Sequence, residues 1–463
     1  MFGGIKKIHF VGLGGIGISG MAELLYALGY QVSGSDLKPS EITAHLSQLG
    51  VRFFEGHHGD NVNSCDMVVY SSAVRPDNPE LVSARDRNIP VIRRAEMLGE
   101  LLKVAEVSVA VAGTHGKTTT SSMIGNMLTT ADLDPTMIIG GIVRSLATNY
   151  RHGKGNIIVV EADEFDRSFL SLSPTIAVIT NINLEHLDCY HNLEDLTMAF
   201  SQFANAVPFY GRVVACLDSP NVEALLPHLK RPVTTFGTSP QADVQARNAV
   251  YTATYTTFEL QVPQGPDSVT VELQVPGHHN ILNALAAVAT GLELEVPLPD
   301  LVAGLQEFTG VNRRFELTET IEDVIFVDDY AHHPQEVAAV LDAARQGWDR
   351  RLVAVFQPHL YTRTRDFHLE FAQAFQASDV LVVTDIYPAR EDPLDGVSGE
   401  LIASNAVKAG HEQVHYIPRL NELAATVAEL IRPGDMVMTL GAGDITAYNH
   451  KIRDAFRQWA LNK

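Results

Sequence analysis

Cationic side chains are scarce in this chain: 34 Lys and Arg stand against 55 Asp and Glu, a formal charge of −21. A surface of that sign repels polyanions, which excludes broad binding to nucleic acid or to an anionic membrane. Any phosphate site must therefore be built locally. Cysteine is also sparse. Cys65, Cys189 and Cys216 are odd in number, far apart and without metal-ligand spacing. That excludes a disulfide framework and fits a reducing cytosol. No stretch approaches the ~20 uninterrupted apolar residues of a spanning helix. The apolar run near the start is broken by five glycines between Gly12 and Gly20, so it reads as strand and turn rather than as a secretory signal. The expectation is a cytoplasmic protein with no membrane insertion and no nucleic-acid partner.

What the chain does have is ordinary globular content, 46% hydrophobic and 19% charged over 463 residues. That length calls for about three compact units. Short apolar strands at Ile8 to Val11, Val107 to Ala112, Ile157 to Val160, Ile176 to Ile179, Val324 to Val327, Leu352 to Phe356, Val380 to Val383 and Met436 to Leu440 alternate with helical patterns. This is the rhythm of an α/β protein with mostly parallel, buried sheets. A strand restarts near Val107 and another series begins after Gly310, which places domains at about 1–105, 106–311 and 312–463. Between Val244 and Pro276, alternating Thr, Tyr, Val and Glu suggest an antiparallel hairpin within the middle domain.

Two glycine loops carry phosphate chemistry. Gly12-Leu13-Gly14-Gly15-Ile16-Gly17 follows a strand, precedes a helix and is followed by Asp36 after a second strand, which fits a dinucleotide fingerprint. Taken alone it points equally to an NAD-dependent oxidoreductase. Gly113-Thr114-His115-Gly116-Lys117-Thr118-Thr119 follows the Val107 to Ala112 strand and opens a helix. Its backbone N–H groups suit phosphate, Lys117 reaches the terminal phosphates, and the Thr118 hydroxyl suits magnesium. Val111 occupies the first glycine position of the usual phosphate-loop spacing.

The acidic run Glu161-Ala162-Asp163-Glu164 ends a strand where carboxylates suit a hard cation. Thr180-Asn181-Ile182 ends the next one, with Glu185-His186 just beyond. Asn280 and Asn283 lie on a helix that opens after Gly277, and Asn280 also reads as a helix cap. Arg313-Arg314 stands at the second boundary, either as a surface pair or as a phosphate clamp. Asp328-Asp329-Tyr330-Ala331-His332-His333 tempts a zinc reading, but adjacent histidines point apart and no further ligand pair has supporting spacing.

This ordered set resembles the Mur ligase family over essentially the whole chain. The resemblance rests on His9 to Gly20, Tyr70 to Val74, the Gly-Thr-x-Gly-Lys-Thr loop, the acidic segment through Phe169, Gly277 to Asn283, Val311 to Phe315, Asp328 to Pro334 and Phe356 to Arg365. It implies an α/β three-domain Mur ligase architecture: a Rossmann-like N-terminal domain, a central P-loop ATPase-like domain and a Rossmann-like C-terminal domain. It also implies an ATP-dependent ligase that uses Mg2+. The motifs are most similar to members that add L-alanine, which implies UDP-N-acetylmuramate and L-alanine as substrates and a monomer or homodimer. A member attaching a ready-made peptide is the alternative within the family.

Carried onto this sequence, the resemblance assigns Gly14, Gly15, Ile16, Gly17, Asp36 and Ser71 to the UDP substrate. Gly113 to Thr119 would hold ATP phosphates, with His279 and Asn283 at adenine, Arg314 at the terminal phosphate and Asp329 at the ribose. Thr118, Glu161 and His186 would place the metal. Tyr330, His332 and Arg363 would surround the amino acid, and Lys117, Arg314 and His186 would be catalytic. Three residues depart from the family pattern: Phe165 replaces a frequent serine, Glu185 a frequent aspartate, and Leu360 an arginine found in some members.

Overall fold

In a computed structural model, residues 3–71, 73–144, 148–187, 189–263, 265, 268–389 and 391–461 are described. Three sheets follow one another along the chain. The first holds β1 (Lys7–Val11), β2 (Gln31–Asp36), β3 (Arg52–Glu55), β4 (Met67–Tyr70) and β5 (Val91–Arg93), in the order β3-β2-β1-β4-β5. All its pairings are parallel. The glycine loop thus leaves the carboxyl end of the central strand, at the point where strand order reverses. That is where open α/β sheets bind ligands.

The second sheet has ten strands: β6 (Val107–Ala112), β7 (Thr136–Val143), β8 (Thr148–Arg151), β9 (Ile157–Glu161), β10 (Ile176–Ile179), β11 (Arg212–Cys216), β12 (Val233–Gly237), β13 (Val244–Tyr251), β14 (Thr256–Gln261) and β15 (Val269–Leu273). Their order is β15-β14-β13-β12-β11-β10-β6-β9-β7-β8. β6 lies between β10 and β9, parallel to both. The loop after β6 is therefore flanked by the segments that leave β9 and β10. β13 and β14 are neighbours joined by a tight turn in which Thr252 N–H donates to the Tyr255 carbonyl. So short a connection fixes them as an antiparallel hairpin.

The third sheet comprises β16 (Glu316–Ile321), β17 (Val324–Asp329), β18 (Leu352–Phe356), β19 (Val380–Thr384), β20 (Val414–Ile417) and β21 (Met436–Leu440), ordered β16-β17-β21-β18-β19-β20. Only the edge strand β16 runs antiparallel to its neighbour. Period-two alternation divides its apolar residues between two cores. Val327, Ala354, Phe356, Leu381 and Met438 face one side. Phe326, Val353, Val355, Val382 and Val437 face the other. A strand covered by helices on both faces must be apolar throughout, which explains the continuous runs. Each buried Val, Leu, Phe or Met side chain among them contributes about 1.5–3 kcal/mol by leaving water.

The chain packs as two compact units. One comprises Met1–Asn248, Phe258–Val271 and Leu282–Phe308; the other comprises Ala249–Thr257, Glu272–Ile281 and Thr309–Lys463. Among the described residues no helix is long and apolar enough to cross a membrane.

Candidate functional site

The loop after β6 is shaped by glycines that no other residue can replace without strain. Gly113 has φ +137° and Gly116 φ +83°, and a Cβ on Gly116 would stand 2.6 Å from the Asn283 amide oxygen. A Cβ on Gly113 would overlap the Thr180 hydroxyl. The end of β10 braces the loop. Asn181 accepts from His115 N–H at 2.9 Å and donates its amide N–H to the His115 carbonyl at 3.0 Å. Thr180 donates its hydroxyl to that same carbonyl at 2.6 Å, and the Thr114 hydroxyl accepts from Asn183 N–H at 2.9 Å. The helix Lys117–Thr130 starts from this braced turn and presents its N-terminus, with no acidic residue in its first turn, to an anion. Thr118 and Thr119 lie in that turn, and the Thr120 hydroxyl donates to Asn283 at 3.0 Å.

The Lys117 ammonium donates to the Gly113 carbonyl at 2.6 Å and to both Glu164 carboxylate oxygens at 2.9 and 2.7 Å. Glu164, Glu185 and His186 form a cluster whose ligand atoms all lie within 4.8 Å of one another, with both carboxylates buried. Burial works against the Lys117 charge, but Glu164, Asp163 and Glu185 outweigh it and hold the lysine above its ordinary value. Burial pushes the Glu164 carboxyl up to about 7, opposed by Lys117 and reinforced by Asp163 and Glu185. One ammonium thus meets a carboxylate cluster, and the buried oxygen donors beside one imidazole fit a hard divalent cation.

His186 has φ +55°, a left-handed conformation held by Cys189 and Tyr190 N–H groups, which donate to its carbonyl at 2.8 and 3.0 Å. Strain of this kind persists where surrounding structure over-determines it. Phe165 presses edge-on against the His186 ring, with centroids 5.2 Å apart. Glu161 lies outside the three-residue cluster. Its carboxylate accepts from Gly140 N–H at 2.7 Å and from the Ser121 hydroxyl at 3.4 Å, one helical turn beyond Thr118.

In the first sheet, Asp36 accepts from Gly14 N–H at 2.8 Å and from Leu37 N–H at 2.7 Å, so it shapes the glycine loop directly. Gly15 caps the helix Ile16–Ala27, and Gly17 sits in its first turn. The Ile16 side chain lies outside what is described. The Ser71 hydroxyl, just after β4, is 3.7 Å from where a Gly12 Cβ would stand, placing it beside that loop.

The second unit gathers another set. Arg314 lies 3.7 Å from Glu336 and over the Tyr330 ring at 5.1 Å. His332 meets Tyr330 edge-on at 5.2 Å, and its Nδ1 lies 3.2 Å from the Glu336 carboxylate. His359 is 5.7 Å from His332 by ring centroids, and its Nδ1 lies 3.4 Å from the Arg363 guanidinium. Leu360, at φ +71°, turns the chain into the helix that carries buried Arg363. Burial pushes His279 down to about 4, with His278 and Arg314 adding to the effect and Glu336 opposing it. Asp329 is buried, and its oxygens accept from Phe315 and Ala331 N–H at 2.6 and 2.7 Å. Desolvation pushes it up to about 6 despite Arg314.

Most sequence candidates therefore fall into three groups: the first glycine loop, the phosphate loop with its acid and histidine cluster, and the Tyr330 set. Sequence reading singled out Glu161 and passed over Glu164, because a run of acids does not reveal which one turns inward. It also passed over Asn181, Glu336 and His359 as site members. Glu185 and His359 stood beside chosen residues, whereas Glu336, one helical turn from His332, had only its spacing as a signal.

A braced phosphate loop and a buried metal-type cluster, at the carboxyl ends of β6, β9 and β10 in one sheet, define a nucleotide-dependent α/β enzyme. The chain belongs to the Mur ligase family. Residues 7–105 match the family's catalytic domain, 111–291 the Mur ligase middle domain and 313–443 the Mur ligase, glutamate ligase domain. A UDP-N-acetylmuramate--L-alanine ligase of Geotalea daltonii is 48% identical over 99% of this chain and 100% of its own. One of Syntrophus aciditrophicus is 50% identical over 96% and 92%. Among solved structures, the UDP-N-acetylmuramate-alanine ligase of Thermotoga maritima matches with TM-score 0.81 and 31% identity, covering 98% of this chain and 99% of that one. A murein peptide ligase of Psychrobacter arcticus shares the fold at TM-score 0.73 and 24% identity, covering 98% and 99%.

Proposed function

We propose that this chain joins L-alanine to the lactyl carboxylate of UDP-N-acetylmuramate at the expense of ATP, within the cytoplasm, in peptidoglycan precursor synthesis. The observation that carries this reading is Lys117, set on a braced phosphate loop against a buried acidic and histidine cluster, in a chain similar end to end to L-alanine ligases.

A carboxylate is a poor electrophile at neutral pH, so it must first be activated. Its oxygen attacks the γ-phosphorus of ATP, the β–γ bridging P–O bond breaks, and ADP leaves. The uncharged amine of L-alanine then attacks the acyl carbon, the bond to the phosphate oxygen breaks, and inorganic phosphate leaves with that oxygen and, overall, with the proton the amine gives up. Lys117 holds the phosphoryl charge on the loop, and Arg314 serves the terminal phosphate. Both supply preorganised cationic donors where negative charge grows. Magnesium, when bound, neutralises phosphate charge; Thr118, Glu161, Glu164, Glu185 and His186 are the residues that would hold it. Asn283 packs against the loop glycine, while His279, kept neutral, is suited to adenine. Tyr330, His332 and Arg363 surround the amino acid, with Arg363 facing its carboxylate.

Phosphate release from ATP, with UDP-N-acetylmuramate and magnesium, with and without L-alanine, tests the reading alongside the product mass. Alanine-dependent release and a UDP-N-acetylmuramoyl-L-alanine mass support it. Release with a peptide but not with alanine moves the assignment to a peptide ligase, and silence with both overturns the substrate class.

A further inference from the structure

Arg94 begins the helix Arg94–Leu102, and its guanidinium faces two segments at once. Its Nη1 lies so close to Gly17 that any Cβ there would overlap it. Its Nη2 lies 3.4 Å from the Asp163 carboxylate, in the acidic segment whose next residue grips Lys117. The neighbouring Arg93 makes a parallel contact with Asp166 at 3.0 Å.

An exposed ion pair between two segments is worth at most about 1 kcal/mol, which gives a weak reason to hold an arginine over a glycine loop. The placement has a stronger chemical reading. Gly17 lies in the first turn of the helix Ile16–Ala27, whose N–H groups favour an anion. A guanidinium held beside that turn offers a planar fork of donors matched to phosphate oxygens. Asp163 fixes its orientation, and the missing side chain at Gly17 admits it.

We propose that Arg94 binds the diphosphate of the nucleotide-sugar substrate and that Asp163 positions it. The proposal rests on the reading of the first domain as the UDP-sugar site and names a cation that this reading did not include. Asp163 precedes Glu164, so the same guanidinium joins the substrate diphosphate to the segment that holds Lys117.

The test is calorimetric binding of UDP and of UMP to the full chain in metal-free buffer, so that protein cations alone read the second phosphate. Wild type is expected to prefer UDP. Arg94→Ala should weaken UDP about 10- to 100-fold and UMP far less, the scale of a lost charged hydrogen bond. Arg94→Lys should keep part of the preference, and Asp163→Asn should lose less of it than Arg94→Ala. Gly17→Ala, which displaces the guanidinium without removing it, should resemble Arg94→Ala.

Equal losses for UDP and UMP, or no loss for either, would overturn the proposal, since a purely structural strut does not distinguish one phosphate from two. If Arg94→Ala does not fold, Arg94→Lys carries the same comparison. A wild-type chain that binds neither UDP nor UDP-N-acetylmuramate overturns the underlying reading, whereas normal binding with an unchanged Arg94 variant overturns this inference alone.

Discussion

Gly116 is left-handed at φ +83° and faces Asn283 where a Cβ would stand 2.6 Å away. Gly116→Ala is therefore expected to weaken ATP binding at least tenfold and to lower the melting temperature, because backbone strain of about 1 kcal/mol adds to a contact that must move. Wild-type ATP affinity in that variant, by calorimetry, would refute this account of the loop. Lys117→Ala should lower turnover by roughly two to three orders of magnitude, the scale of one lost transition-state donor. Near-normal phosphate release would remove Lys117 from the mechanism. His279 yields a pH prediction. Burial lowers its folded value to about 4 from an ordinary 6.5, so its contribution to stability is full above pH 6.5 and is lost as pH falls through 4. The loss is on the order of 2 kcal/mol, after discounting for a ring that is only half-buried. His279→Gln should flatten thermal stability between pH 6.5 and 4 relative to wild type; an unchanged slope would assign the acid sensitivity elsewhere.

The end of β10 acts as a brace, since Thr180 and Asn181 take up the polar backbone of Thr114 and His115 and Asn183 N–H donates to the Thr114 hydroxyl. Asn181→Asp retains the oxygen that accepts from His115 N–H but loses the donor to the His115 carbonyl. ATP affinity should fall about tenfold, with UDP-N-acetylmuramate binding unchanged; parallel loss of both ligands would mean general unfolding rather than a loosened loop. Elements buried on both faces were legible in the sequence. Val107–Ala112, Ile176–Ile179, Leu352–Phe356 and Met436–Leu440 form strands with the expected bounds, because unbroken apolar runs leave little choice. β2, β9 and β17 run on to Asp36, Glu161 and Asp329, polar residues that a pattern of hydrophobicity stops short of. β3 and β16 are mostly half-exposed and gave weaker signals. The glycine loops were legible because φ and close approach demand glycine. The partner of Lys117 was not, because Glu164 and Lys117 are 47 residues apart and meet only through sheet order.

At the scale of the molecule, the second unit draws on Ala249–Thr257 and Glu272–Ile281 as well as Thr309–Lys463. The sequence pattern assigns Val244 to Pro276 to the middle domain; Phe258–Val271 packs with the first unit, while the turn Ala249–Thr257 and the segment Glu272–Ile281 pack with the later residues. The reason is local: a Cβ on Gly347 would lie 3.0 Å from the Thr252 carbonyl, and one on Gly277 would lie 2.9 Å from the Ala343 methyl. The helix Pro334–Gly347 thus takes both segments as neighbours. The third sheet nevertheless has its own helix-covered faces within 309–463. A domain with a complete two-sided core can fold alone. A fragment spanning 309–463 is expected to show one cooperative thermal transition, because removing the two short segments uncovers Ala343 of one core while the strands of both cores keep their covering helices. It should also aggregate more readily than the full chain, since the Ala343 side then faces water. Circular dichroism melting distinguishes the outcomes. A sharp transition means that the excursion covers a completed domain, and a broad, non-cooperative one means that the sheet needs those segments to fold.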